Sequence, residues 1–326
     1  MKAVQCKAFG GFENLTLESV PEPKPQPGEI LVRIKAAGVN FPDILMVAGA
    51  YQVKPPLPFT PGFEAAGIVE GLGGHVRGFK RGDHVVLSAP WGAWAAQIAV
   101  PAQRVFRIPK SMPFESAAVF PTVFGTVCHA LVQRAELKKG ETLAVPGAAG
   151  GVGLAAVQVG KAMGARVIAA AGDTRKLEIA EKHGADECIN YSESNLKDRL
   201  KELTKGEGVD VVLDPVGGSL TEPALRALAW GGRLLIVGFA GGAIPSLPMN
   251  LPLLKGASIV GVHWTAFIKN FPDVAKANFQ KLLRWYQGGK IKPLISGTYP
   301  MENVVEALRI VRDRAVTGKV VLIPPK

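Results

Sequence analysis

Val145-Pro146-Gly147-Ala148-Ala149-Gly150-Gly151-Val152-Gly153-Leu154 is the stretch on which the fold turns. It joins an apolar run, Thr142–Val145, to a longer segment, Gly151–Met163, whose length suits a helix. Strand, glycine-rich turn and helix in this order make the phosphate-binding element of a dinucleotide fold. Small residues let the backbone approach a pyrophosphate, and the helix N-terminus turns unpaired N–H groups toward its charge. The competing reading is a glycine-rich site of helix–sheet packing with no ligand. The elements that follow favour the first.

Beyond the turn, strands and helices alternate. Strands are expected at Arg166–Ala171, Cys188–Asn190, Val209–Leu213, Arg233–Val237 and Ser258–Val262. Helices are expected at Lys176–His183, Leu196–Thr204 and Leu220–Ala229. The strand runs are almost wholly apolar, as strands covered on both faces should be. The pattern predicts a Rossmann-type, doubly wound parallel sheet over 122–265.

Before residue 122 the rhythm is different. Ile30, Val32 and Ile34 alternate with Leu31, Arg33 and Lys35, and short apolar runs follow at Ala65–Val69, His84–Leu87 and Ala95–Val100. Short strands broken by Gly and Pro predict a small, mainly-β, barrel-like domain. After residue 265 come two helices, near Pro272–Gln287 and Met301–Arg314, and a closing strand, Lys319–Ile323. These are too few to form a domain, so the expected organisation is a substrate domain of 1–121 and 266–326 with a cofactor domain of 122–265 inserted into it.

The end of the strand Arg166–Ala171 bears on the choice of cofactor. A site for NAD usually places Asp or Glu there, about 20 residues past the glycine turn, to bind the ribose 2′-hydroxyl. Here the tip is Ala171-Gly172, followed by Asp173, Thr174, Arg175 and Lys176. Room and positive charge suit a 2′-phosphate, hence NADPH. Asp173 would repel that phosphate if it pointed inward, and Arg175 and Lys176 could simply be the exposed first turn of a helix.

Composition excludes several classes. Among 326 residues the net charge is +11, but the bases are dispersed and not interleaved with aromatics, so no nucleic-acid partner is expected. A positive field would also attract a polyanionic cofactor or thioester. Three widely spaced cysteines, Cys6, Cys128 and Cys188, argue for a reducing compartment, and no secretion signal opens the chain. The uncharged stretch Leu234–Leu254 is long enough to span a membrane, but Pro245, Pro248 and Pro252 break it. It reads as a buried part of a soluble, cytoplasmic protein.

Taken together, these motifs resemble the zinc-independent quinone oxidoreductase (zeta-crystallin-like) family of the medium-chain dehydrogenase/reductase superfamily. The resemblance covers essentially the whole chain. It is carried by Ala37-Gly38-Val39-Asn40-Phe41-Pro42-Asp43, by Pro61-Gly62-Phe63-Glu64-Ala65-Ala66-Gly67 with Gly82-Asp83, by Gly150–Gly153 with Gln158 and Lys161, and by Val209–Asp214 with Gly217-Gly218. Ala144 departs from the family's usual Leu. The resemblance implies a GroES-like substrate domain around the Rossmann insertion. It also implies that Asn40 meets the nicotinamide side, that Thr126, Gly150, Gly151, Val152 and Gly153 hold phosphates and ribose, that Gly172, Lys176 and Tyr191 hold the adenosine phosphate, and that Phe239 and Ala240 border the nicotinamide. Zinc enzymes of the superfamily carry metal ligands where this chain has Asn40, Phe63 and Thr122, which are poor or impossible zinc ligands. No metal is therefore expected.

Without a Lewis acid, the substrate must already be electrophilic: a quinone or an α,β-unsaturated carbonyl. Tyr51 is a candidate to orient the substrate or donate a proton, and is equally readable as a rim tyrosine. Asp43, after Pro42, reads as a residue of a helix start, and His129 and His263 have no assignable partner. An enoyl-thioester (acyl-CoA) reductase is the enzymatic alternative, and an NADPH-binding structural or RNA-associated protein is the alternative from another class. Ser258–Val262 reads as the terminal strand of the parallel sheet, and an exposed apolar edge of this kind predicts a homodimer.

Overall fold

The computed structural model describes residues 1–325 and divides into two compact units, Met1–Thr122 with Pro293–Lys326, and Val123–Lys292.

The second unit holds six parallel strands: β1 (Thr142–Pro146), β2 (Arg166–Ala171), β3 (Glu187–Asn190), β4 (Val209–Asp214), β5 (Leu228–Ile236) and β6 (Ser258–Gly261). Their spatial order is β3-β2-β1-β4-β5-β6, the doubly wound dinucleotide-fold order. The central strands are buried throughout, with Leu143, Val145, Ile168, Val211 and Leu213 at 0 % exposure, which is why their sequence shows no alternation. The chain reverses its winding between β1 and β4, so the crevice at their carboxyl ends is the topological switch point. α1 (Gly151–Met163) starts there and ends on Gly164, whose left-handed φ of 85° closes the helix. α2 (Thr174–Lys182) follows β2.

Two readings shift in this unit. The helix Pro272–Gln287 packs here and not with the first unit: Asn278 exchanges two hydrogen bonds with Gln133, at 3.0 and 2.9 Å, and Phe279 and Leu282 are buried. The division thus falls after Lys292, where the sequence suggested residue 265. The stretch after β5 is also far from buried. Ile244, Met249, Leu253 and Leu254 are 68–78 % exposed, and Trp230 is 82 % exposed.

The first unit is mainly β. The long strand Glu29–Val39 organises it, pairing antiparallel with Glu64–Leu72 on one side and with both Gln97–Pro101 and Lys319–Ile323 on the other. His84–Ser88 and Val105–Arg107 extend the sheet beyond Glu64–Leu72, and Ile295–Pro300 pairs parallel to Lys319–Ile323. One strand with three partners bends the sheet toward a barrel. Gly67 permits the bend, since a Cβ there would collide with the Arg33 carbonyl. Trp94, Ile30, Val32 and Leu87 fill the interior, and the Trp94 indole N–H donates to the Gly38 carbonyl at 3.2 Å. Among the described residues no helix is long and apolar enough to cross a membrane.

Candidate functional site

Each unit carries one part of the candidate machinery. In the second unit, Gly147 leaves β1 with a left-handed φ of 65°, and Gly150 caps α1 in extended conformation with no side chain over the helix start. Gly151, Val152 and Gly153 form the first turn of α1, so their N–H groups face outward from the N-terminus. A Cβ on Gly153 would collide with the Gly147 carbonyl, so helix and strand can approach this closely only with glycine. At the neighbouring turn, buried Asp214 accepts from the N–H groups of Val216 and Gly217 at 2.8 and 2.9 Å and from the Thr221 hydroxyl at 2.7 Å. That carboxylate shapes the loop after β4, against which Phe239 and Ala240 lie; Ala240 N–H donates to the Pro215 carbonyl. Thr126 is buried in the short helix Gly125–Cys128.

At the end of β2, Gly172 lies against the ring of Tyr191, and the Ser192 hydroxyl donates to the Gly172 carbonyl at 2.9 Å. Ser192 was not singled out from the sequence. Asp173 is the N-cap of α2: its carboxylate accepts from Lys176 N–H at 2.9 Å and lies 3.2 Å from the Lys176 ammonium. These hydrogen bonds hold its carboxyl below the usual range. The acid that complicated the choice of cofactor is therefore occupied by its own helix. Arg175 is exposed, and Lys176 is half-buried.

His129 proves structural. Its ring stacks on Phe267 with centroids 3.8 Å apart, its Nδ1 meets Gln133 at 3.3 Å, and burial lowers its pKa.

In the first unit, four polar side chains meet in an otherwise apolar interior. Asn40, Asp43, Glu64 and Lys319 are 6, 0, 0 and 6 % exposed. Asn40 begins the helix Phe41–Val47, and its N–H donates to Asp43 Oδ2 at 2.8 Å in a capping box. Asn40 Nδ2 donates to Glu64 Oε1 at 2.9 Å. Lys319 Nζ donates to the Val39 carbonyl at 2.6 Å, to Asn40 Oδ1 at 2.5 Å and to Glu64 Oε1 at 3.3 Å. Glu64 Oε2 accepts from Thr122 N–H at 2.8 Å, in the widened turn Phe120–Phe124. Gly38 leaves room for this carboxylate, since a Cβ there would strike it. Two carboxyl groups share one ammonium. Burial, which outweighs the help Asp43 receives from Asn40 N–H and Lys319, pushes the Asp43 carboxyl up to about 8. Its Oδ1 has no hydrogen-bond partner.

The three positions where zinc enzymes carry ligands thus gather around Glu64: Asn40 and Thr122 bond it, and Phe63 adjoins it in sequence. The Phe63 ring meets Tyr51 edge-on at 5.6 Å. Tyr51 is half-buried, and burial, followed by the charge of Asp43, raises its phenol. No direct hydrogen bond joins Tyr51 to Asn40. Among the described residues no group of three or more His, Cys, Asp or Glu side chains is placed to hold a metal ion.

Residues 26–110 match the family described as "Alcohol dehydrogenase GroES-like domain", and residues 151–285 the family described as "Zinc-binding dehydrogenase". Quinone oxidoreductase-like protein 2 of Rattus norvegicus is 40 % identical over 309 residues, covering 94 % of this chain and 88 % of that protein. Quinone oxidoreductase of Homo sapiens is 34 % identical, covering 99 and 98 %.

The chain belongs to the quinone oxidoreductase family.

Solved structures agree. The Escherichia coli quinone oxidoreductase complexed with NADPH superposes with a TM-score of 0.92 at 32 % identity, over 99 % of this chain and 100 % of that one. The quinone oxidoreductase of Pseudomonas syringae gives 0.93 at 31 %, over 99 % of both.

Proposed function

We propose that this chain is an NADPH-dependent, zinc-independent reductase of quinones and α,β-unsaturated carbonyls. The observation that carries the reading is the start of α1 at the switch point of the sheet. Its first turn is bare glycine and valine, and Gly153 keeps it pressed against β1. The cofactor's pyrophosphate fits there. Gly172, Tyr191, Arg175 and Lys176 would hold the adenosine end, Thr126 the ribose and phosphates, and Phe239 and Ala240 would border the nicotinamide. Because Asp173 is bound to its own helix, Arg175 is left for a 2′-phosphate.

When bound, NADPH supplies a hydride. The protein's own task is to orient the acceptor and supply hydrogen bonds to the oxygen on which charge builds. Asn40 and Tyr51 are the donors proposed for this. Tyr51 keeps its proton at neutral pH because burial raises its phenol, so it can donate throughout the physiological range. Of the residues at the zinc-enzyme positions, Asn40 and Thr122 are each bonded to Glu64, which also meets Lys319, and Phe63 is apolar. This supports chemistry on acceptors that need no Lewis acid.

The edge strand β6 supports a homodimer. Ile259 on it is 38 % exposed, and Trp230, Met249, Leu253 and Leu254 expose large apolar surfaces in the same unit.

The test is NADPH oxidation by chelator-treated protein against quinones, enones, enoyl thioesters and simple alcohols. Turnover of the first two is expected. Turnover of thioesters alone would move the assignment to an enoyl-thioester reductase, and NADPH binding without any turnover would leave a binding protein.

A further inference from the structure

The cluster around Glu64 fixes one detail that a side-chain amide normally leaves open. Oxygen and nitrogen of an Asn amide are interchangeable in shape, so their assignment follows from the partners alone. Asn40 has two partners of opposite kind. Lys319 has an ammonium, which only donates, and its three N–H groups meet three acceptors: the Val39 carbonyl, Asn40 Oδ1 and Glu64 Oε1. Glu64 has a carboxylate, which only accepts, and it faces Asn40 Nδ2 at 2.9 Å. Each partner independently selects the same rotamer of the amide. A flip would set N–H against ammonium and oxygen against carboxylate at once, within an interior where neither is screened.

After these contacts, one N–H of Asn40 Nδ2 has no partner among the described residues, while its oxygen is occupied by Lys319. We propose that Lys319 and Glu64 are positioning residues that hold Asn40 as an obligatory hydrogen-bond donor, and that its free N–H is given to a carbonyl oxygen. That oxygen belongs to the acceptor substrate or to the carboxamide of the cofactor. The proposal rests on the functional reading above for the identity of the oxygen, but the clamp itself does not depend on it.

The test compares wild type with Lys319→Arg, Asn40→Ala and the charge-balanced Lys319→Met/Glu64→Gln. In the last, a Gln at position 64 that keeps accepting from Thr122 N–H turns its NH2 toward Asn40, and the ammonium that held the amide oxygen is gone, so the amide is released from its wild-type orientation and can turn over. The first readout needs no cofactor. In asparagine-labelled wild type, the Asn40 side-chain amide, identified by its loss in Asn40→Ala, should show one proton that exchanges with water at least about 10-fold more slowly than the other, as one is bonded to a buried carboxylate. This asymmetry should vanish in the double variant and survive in Lys319→Arg. Two equally fast protons in wild type would overturn the clamp.

The second readout is NADPH affinity by titration, with kcat/KM for an enone, on variants whose melting shows them folded. The double variant should lose on the order of 100-fold in one of them, while Lys319→Arg, still a pure donor, keeps most of both. Loss confined to kcat/KM assigns the oxygen to the substrate, and loss of NADPH affinity assigns it to the cofactor. A folded double variant unchanged in both would overturn the positioning role. If wild type reduces no acceptor, the functional reading fails, and the amide signals still decide the clamp separately.

Discussion

Replacing Asp43 with Asn should abolish a pH dependence of stability that runs opposite to the usual one for a carboxylate. Asp43 is fully buried beside Glu64, and the single ammonium nearby, Lys319, is bonded to Glu64. Its carboxyl is raised from 3.8 to about 8, so the folded protein holds a proton there that the unfolded chain releases. The folded state therefore binds more protons across this window, and stability falls as pH rises from about 4 to 8. The shift spans about 4 pH units, equivalent to about 6 kcal/mol at about 1.4 kcal/mol per unit. Asp43→Asn retains an acceptor for Asn40 N–H and cannot ionise. Urea unfolding of both proteins at pH 4.5, 5.5, 6.5 and 7.5 isolates the effect, because all other groups cancel in the difference. The wild type should lose ground to the variant at every step upward. Parallel stabilities across the range, or a carboxyl carbon of Asp43 that titrates near pH 4 by NMR, would refute the reasoning.

Other predictions follow from the same geometry. Tyr51→Phe should slow enone reduction by roughly 100-fold, about 3 kcal/mol for one lost donor, and quinone reduction less; equal steady-state rates would remove the tyrosine from the chemistry. NADPH should bind at least about 10-fold more tightly than NADH, and Lys176→Ala should narrow that gap; equal affinities in titrations of the unmodified protein would contradict the reading of the β2 tip. The protein should scatter light as a dimer at micromolar concentration, and Ile259→Lys on β6 should shift it toward monomer; a monomeric wild type would dismiss the edge-strand interface.

The parallel sheet was legible because its signals are local. Strands buried on both faces must be apolar throughout, and a helix that starts hard against a strand must start with glycine, as Gly153 shows. The allegiance of Pro272–Gln287 was not legible. Its amphipathic face would suit either unit, and what decides is the pairing of Asn278 with Gln133, 145 residues away. The strand Ile295–Pro300 was hidden by Gly297 and by Pro300 in a six-residue run. Asp173 read only as a charge that would repel the phosphate, and its role as a helix cap shows only in its bond to Lys176 N–H. In the first unit the sequence pointed to Asn40 but passed over Lys319, which lies 279 residues further on. A signal for it existed. Lys319 opens an otherwise apolar strand, Lys319-Val320-Val321-Leu322-Ile323, and Glu64 opens another, Glu64-Ala65-Ala66-Gly67. A charge at the head of a buried strand needs a partner of opposite sign, and two such strands in one unit are candidates for each other.

The central claim is metal-free hydride delivery to a conjugated carbonyl, and isotope transfer tests it most directly. Chelator-treated protein is given NADPH deuterated at the transferable position of C4 together with a simple enone, and the product is examined by NMR. The account predicts deuterium on the carbon β to the carbonyl, with no loss of rate relative to protein supplied with zinc. Product lacking the label, turnover restored only by zinc, or oxidation of ethanol in place of enone reduction would contradict it.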